Sequence, residues 1–212
     1  MTATQRRPLN DAVTNFWSFA APKYDLPFLQ EWVYRPAQTE AIAVLRAHGS
    51  RRIADIACGT GILADRIARE LNPDEIYGVD MSDGMLEQAR QRSSAVTWRK
   101  GPAEQLPFDD GTLDAVVTTS AFHFFDQPAA LRDFHRVLRP GGVAAVATMS
   151  PRIQWPIPAA LDRFGLAHSP SPAAMRQLFE DAGFTLDDQH RVRRQPLLQP
   201  ISDLITIGVK PE

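Results

Sequence analysis

The sequence predicts an α/β protein: a mostly parallel sheet with helices on both faces. Three observations predict it. Short apolar runs alternate with stretches of helical periodicity, the order left by repeated strand–helix units. The first run, Ile53-Ala-Asp-Ile-Ala57, passes into Cys58-Gly-Thr-Gly61 and then into Ile62-Leu-Ala64, so strand, glycine turn and helix start follow one another. The second run ends on Asp80, about 20 residues beyond Gly61, where a ribose-binding acid is expected. Gly59-x-Gly61-x-x-Ala64 therefore reads as the nucleotide-binding turn of a Rossmann-like sheet. Glycines there let a ligand touch the backbone, and the helix behind them offers free N–H groups and the positive end of a dipole.

Taken in order, residues 1–48 are read as an N-terminal helical cap, with a short helix from Asp11 to Phe19 and a longer one from Glu31 to His48. In the longer helix Ala37, Ile42, Val44 and Leu45 are available for packing. The aromatic segment between them, with Trp17 and Tyr24, is a candidate lid over the pocket. Strand one is placed at 52–57 and its helix at 62–71, which stops at Asn72-Pro73 because proline cannot continue it. Strand two, Ile76 to Asp80, ends with its carboxylate at the edge where such sheets bind ligands. Ser82 caps the next helix, with Met85, Leu86 and Ala89 as its inner stripe. Strands three and four are read at 95–99 and 113–119. Asp126 caps a helix with Pro128 in its first turn and Leu131, Phe134, Val137 and Leu138 facing the core. Strand five is read at 142–148. The proline-rich stretch 150–170, with Trp155 and a short helix near 158–165, is a second candidate substrate wall. Ser171-Pro172 opens a helix that Gly183 ends. Leu186–Arg194 and Leu204–Val209 then read as a terminal pair of strands at the sheet edge. Arg191, Arg193 and Arg194 are expected on a solvated strand face.

Composition narrows the function. A chain of 212 residues with 44% hydrophobic side chains can bury one full core, and a net charge of −2 gives no electrostatic reason to expect nucleic acid. The single cysteine, Cys58, fits a reducing, cytoplasmic setting and reads as a packing residue. No signal-peptide core or membrane-length apolar run is seen, so no membrane partner is expected. The glycine turn alone suits a dinucleotide as well, which would make the protein an NAD-dependent oxidoreductase. Asp55 argues otherwise: an ionised carboxylate facing the ligand repels a pyrophosphate and suits the ammonium and sulfonium of S-adenosylmethionine (SAM). The alternative role for Asp55 is to cap nearby backbone N–H groups.

Ile53-Ala-Asp-Ile-Ala-Cys-Gly-Thr-Gly61 resembles the glycine motif of class I SAM-dependent methyltransferases, and Val79-Asp80-Met81-Ser82 resembles their ribose motif. Glu104-Gln-Leu-Pro-Phe108, Phe122-His123 and Arg136-Val-Leu-Arg-Pro-Gly-Gly142 are similar to further marks of the branch that includes ubiquinone and menaquinone methyltransferases. The resemblance covers about residues 50–148 and makes 49–212 the SAM-binding methyltransferase domain. It implies a seven-stranded sheet with the last strand antiparallel. It also implies that Asp55 lies near the amino acid end of SAM, which Gly59 and Gly61 let approach the backbone about Ala57. By the same resemblance Asp80 takes the ribose hydroxyls, Met81 lines the adenine, the Ala103 N–H meets the adenine edge, and the backbone at Ser120 meets the SAM amine. The family usually carries Asp or Asn just before Ala103; here Pro102 stands there, and Glu104 is the candidate substitute.

His123, on the loop after strand four, is the candidate general base, because imidazole titrates near working pH. The expected reaction is methyl transfer to a small-molecule acceptor, first a sugar or phenolic hydroxyl, with C-methylation of a quinone-like or lipid acceptor as the alternative. A SAM-binding protein without catalysis is the third reading. Trp17, Tyr24 and Trp155 are the candidate substrate residues. No His/Asp/Glu spacing marks a metal site, so Mg²⁺ has no support in the sequence, and oligomeric state, a homodimer included, is left open.

Overall fold

The computed structural model describes residues 30–150, 169–194 and 202–212. Trp17, Tyr24, Trp155 and His168 lie outside these, as do the helices read at 11–19 and 158–165. A π turn over Gln30–Tyr34 runs into helix α1, Arg35–Ala47. There follow β1 Arg52–Ile56, α2 Ile62–Leu71, β2 Glu75–Asp80, α3 Asp83–Arg92, β3 Thr97–Lys100 and β4 Leu113–Thr119. A 3₁₀ turn at Phe122–Phe124 leads to α4 Gln127–Val137, β5 Leu138–Met149, α5 Pro172–Asp181, β6 Thr185–Arg191 and β7 Asp203–Val209.

The strands form one seven-stranded sheet of order β3-β2-β1-β4-β5-β7-β6. β1 pairs in parallel with both β2 and β4, and β4 with β5. β7 runs antiparallel to β5 and β6, as the resemblance implies. The terminal strands pair as expected, but β7 lies inside the sheet and only β6 stands at its edge. Strand order reverses between β1 and β4, which opens a crevice at the carboxyl ends of those two strands.

Alternation along the strands sends side chains into two apolar layers. Ile53, Ala115, Val117, Val143 and Ala145 meet Ala37, Ala41, Ile42 and Leu45 of α1 and Leu63 and Ile67 of α2. α1, which the boundary at 48 assigns to the cap, thus packs directly on the sheet. On the other face Ala54, Ile56, Val116, Ala144 and Val146 meet Leu131 and Phe134 of α4 and Met175 and Phe179 of α5. Helix ends follow the expected caps. Ser82 Oγ accepts from Met85 N at 3.2 Å, Ser171 Oγ from Ala174 N at 3.2 Å, and Asp126 Oδ1 from Ala129 N at 3.4 Å. Asn72 closes α2 with φ at +45°.

Three strand limits differ from those expected by two residues or more, one of them the end of β6, which stops at Arg191 rather than Arg194. β3 starts two residues later, because pairing with Tyr77–Asp80 of β2 fixes Thr97–Lys100. β5 starts at Leu138, which pairs with Leu113 before a register shift brings Val143 opposite Ala115; Arg139–Gly142 form that irregular stretch. The solvated face expected for the three arginines is also corrected. The Arg194 side chain is 2% exposed and ion-pairs with Asp203. Arg191 donates to Ser150 O at 2.5 Å and to Ser202 Oγ. Two of the three arginines therefore tie strand ends together.

Candidate cofactor site

The segments leaving the carboxyl ends of β1, β2 and β4 build the crevice. After β1 the chain takes a left-handed residue at Ala57, φ +54°, then two at Gly59, +55°, and Gly61, +81°. Cys58 N–H still donates to Val79 O at 3.1 Å, and Gly61 N–H closes the turn on Cys58 O at 3.0 Å. The two glycines serve different ends. Among the described residues a Cβ at Gly59 would meet nothing within 4 Å, so this backbone stands open to them. A Cβ at Gly61 would overlap the Trp98 ring and come within 3.1 Å of Ala89 Cβ. Trp98 also covers Gly78 in β2, and it donates to Ser93 O at 3.0 Å. Sequence reasoning missed this ring; a glycine inside a strand, Gly78, was its only signal.

Asp80 ends β2 beside the glycine turn. Its Oδ2 accepts from Gly59 N–H at 2.9 Å and its Oδ1 from Ser82 N–H at 2.8 Å, and the Met81 N–H also points to it. Burial nonetheless raises the pKa of Asp80. Asp55, inside β1, is 2% exposed and accepts one hydrogen bond, from the Ala64 N–H of α2. Its Oδ2 is buried with no hydrogen-bond partner among the described residues. Burial, followed by the Asp80 charge, pushes the pKa of Asp55 well above the usual carboxylate range. Burial and the same two carboxylates raise the Cys58 thiol, so Cys58 is no thiolate nucleophile. The structure thus unites the strand end, the glycine turn and two acids in one electronegative crevice.

The loop after β3 is held rather than free. Ala103 is 6% exposed. Glu104 Oε1 accepts from Asp126 N–H at 2.8 Å, which braces this loop against the start of α4. Asp133 accepts from Leu106 N–H at 2.6 Å, and Arg136 donates to Phe108 O at 2.9 Å and to Leu106 O at 3.1 Å. The motif residues 104–108 and 136 are thus joined as one clamp.

Ser120, after β4, is left-handed at φ +59°. Its N–H donates to Ala147 O at 2.9 Å; an ammonium, itself a donor, would be met at Ser120 by the carbonyl or hydroxyl oxygen. His123 sits in the 3₁₀ turn, 6% exposed, with its ring centroid 4.1 Å from that of Phe124. Its Nδ1 is buried without a hydrogen-bond partner among the described residues. Burial lowers its pKa from 6.5 to about 4. The near-neutral titration expected of a general base is therefore absent: this imidazole is neutral at physiological pH and a weak base. Among the described residues no group of three or more His, Cys, Asp or Glu is placed to hold a metal ion, and no helix is long and apolar enough to cross a membrane.

A sheet of this order, with an antiparallel seventh strand and an acid-ended second strand beside a glycine turn, is the class I SAM-dependent methyltransferase fold. Residues 53–142 match the family model described as a methyltransferase domain, and that part of the chain belongs to this family. The chain is 36% identical over 155 residues to the demethylmenaquinone methyltransferase of Deinococcus radiodurans, covering 67% of this chain and 64% of that protein. It is 34% identical over 152 residues to the ubiquinone/menaquinone biosynthesis C-methyltransferase of Geobacter sulfurreducens, covering 66% of this chain and 59% of that protein. The chain thus spans somewhat less than two thirds of each relative's length. A crystal structure of an S-adenosylmethionine-dependent methyltransferase from Mesorhizobium loti superposes with a TM-score of 0.65 at 22% identity, over 79% of this chain and 96% of that one.

Proposed function

We propose that the protein is a SAM-dependent methyltransferase acting on a small, quinone-like ring acceptor at carbon. One observation carries the cofactor assignment: a buried acid with an unpartnered oxygen, Asp55, lies one turn from an open glycine backbone at Gly59. A cationic ligand satisfies that oxygen; a pyrophosphate does not. The residues present fit SAM. Asp55 and the carbonyl of Ser120 would receive its amino acid end, Gly59 would let it approach, and Asp80 retains acceptor capacity for the ribose hydroxyls. Met81 and Ala103 would border the adenine. Glu104 Oε1 accepts from Asp126 N–H, and Pro102 before Ala103 offers no acceptor side chain, so adenine would be held chiefly by packing and backbone.

When bound, SAM supplies an electrophilic methyl group to a nucleophile aligned with its C–S bond. The chain's contribution is then alignment, burial and charge. His123, neutral and weakly basic, suits an apolar wall more than the removal of a hydroxyl proton. A ring carbon made electron-rich by its own hydroxyl needs no strong protein base. The names of the relatives, a demethylmenaquinone methyltransferase and a quinone-biosynthesis C-methyltransferase, support the same acceptor class. The sugar or phenolic hydroxyl is therefore the second reading. The aromatic segment ahead of α1, with Trp17 and Tyr24, and the stretch 150–170, with Trp155, are proposed to close over the acceptor.

Calorimetric titration with SAM, its demethylated product and NAD tests the cofactor; tight NAD binding with no SAM binding overturns the assignment. Incubation with labelled SAM and a panel of demethylated naphthoquinols, phenols and sugars tests the acceptor. Carbon-bound label located by NMR supports the proposal, and label on oxygen alone refutes it.

A further inference from the structure

The fold buries the Asp55 carboxyl without giving it a positive partner. Asp55 is 2% exposed, takes one backbone N–H from Ala64, and leaves Oδ2 without a partner. The ionisable group that acts on it is Asp80, from β2; the Cys58 thiol in the turn, itself raised by both acids, stays neutral, and neither brings positive charge. No cation among the described residues figures in the electrostatics of Asp55. Asp80, by contrast, has Gly59, Met81 and Ser82 N–H groups to support its charge. A buried carboxylate with half its hydrogen bonds missing and another carboxylate beside it is unfavourable when ionised.

We propose that the ligand-free protein holds Asp55 as the neutral acid, and that a cationic cofactor enters in exchange for its proton. The Asp55 O–H bond breaks, the proton leaves to solvent, and the carboxylate left behind pairs with the ligand's positive group. Charge inside the crevice thus rises by no net unit on binding. This rests on the reading of the site as a SAM site. It adds a selection rule: before binding, the crevice carries only the Asp80 charge, and a ligand that cannot supply a cation gains nothing by ionising Asp55.

Calorimetry with SAM at about pH 6, where its α-ammonium is fully protonated, in buffers of differing ionisation enthalpy counts the protons. The wild-type protein is expected to release protons on binding SAM, Asp55→Asn none, and Asp80→Asn fewer than wild type, since Asp55 is then more ionised before binding. Affinity for SAM should fall about tenfold per pH unit on acidification, with Asp55→Asn flat over the same range. SAM binding without proton release, or equal release by Asp55→Asn, overturns the exchange while leaving the SAM reading intact. Absence of SAM binding overturns both. A ¹³C titration of the ligand-free protein decides independently of any ligand: an Asp55 carboxyl titrating in the ordinary range refutes the proposal.

Discussion

Gly59 and Gly61 are indistinguishable as letters in a motif, yet the structure gives them separate work. At Gly59 an added methyl meets none of the described residues and the cost is the left-handed φ, about 1 kcal/mol. At Gly61 the same cost is joined by overlap with Trp98. Gly59→Ala should therefore fold with a small loss of thermal stability but bind SAM at least tenfold more weakly, and Gly61→Ala should lose markedly more stability. Unfolding scans paired with calorimetry would show whether the two losses separate in this way. Asp55 gives a second expectation. Its pKa is raised in the folded protein, so folding favours its acid form; that stability is complete below the ordinary carboxylate range and is lost as pH rises through the folded value. Asp55→Asn should then raise the melting temperature of the ligand-free protein at neutral pH, with the gain vanishing in acid. His123 has the opposite sign. Its pKa falls from 6.5 to about 4, so the neutral ring adds stability present above 6.5 and lost on acidification through 4, on the order of 3 kcal/mol at most. His123→Phe should remove an acid limb of the stability profile and leave the methyl-transfer rate without a near-neutral inflection.

At the scale of elements, much was legible in the sequence because the signals were local. The strand–turn–helix at 53–64, the caps at Ser82, Asp126 and Ser171, and the stop at Asn72 each rest on a few adjacent residues with one physical use. What escaped depends on partners far along the chain. Leu138 joins β5 because Leu113 faces it, and Arg194 is buried because Asp203 waits in another strand. Alternating arginines on a strand look solvated until the neighbouring acid is placed. The Trp98–Gly78 contact escaped for the same reason. It can be tested as a pair: Gly78→Ala should be strongly destabilising through overlap with Trp98, and Trp98→Leu should restore much of the lost melting temperature when combined with it. Additive losses in the double variant would contradict the contact.

Across the molecule, the far side of the sheet is fastened by charge as well as by packing. Arg194 pairs with Asp203 and donates to Trp32 O at 2.9 Å, joining the end of β6 to β7 and to the turn before α1. Burial keeps the Asp203 pKa raised even against this partner. Removing Arg194 would strand that carboxyl, so Arg194→Ala should cost about 3–5 kcal/mol, whereas removing both charges in favour of apolar residues should cost far less, as chemical denaturation can measure. Nearby, His190 lies 2.7 Å from both Glu40 of α1 and Asp188. Burial alone would lower its pKa, but the two carboxylates outweigh it and raise it. The left-handed turns at Ala57 and Ser120, one on each side of the crevice, bear on how this protein could be hardened. Each stores steric energy in a residue that has a side chain to object. Glycine at either place would relieve it and yield a sturdier chain, yet a slacker rim around the ligand. Efforts to raise heat tolerance would thus meet their first trade-off at these two residues, and a variant that gained melting temperature there while losing cofactor affinity would show that the tension is in use.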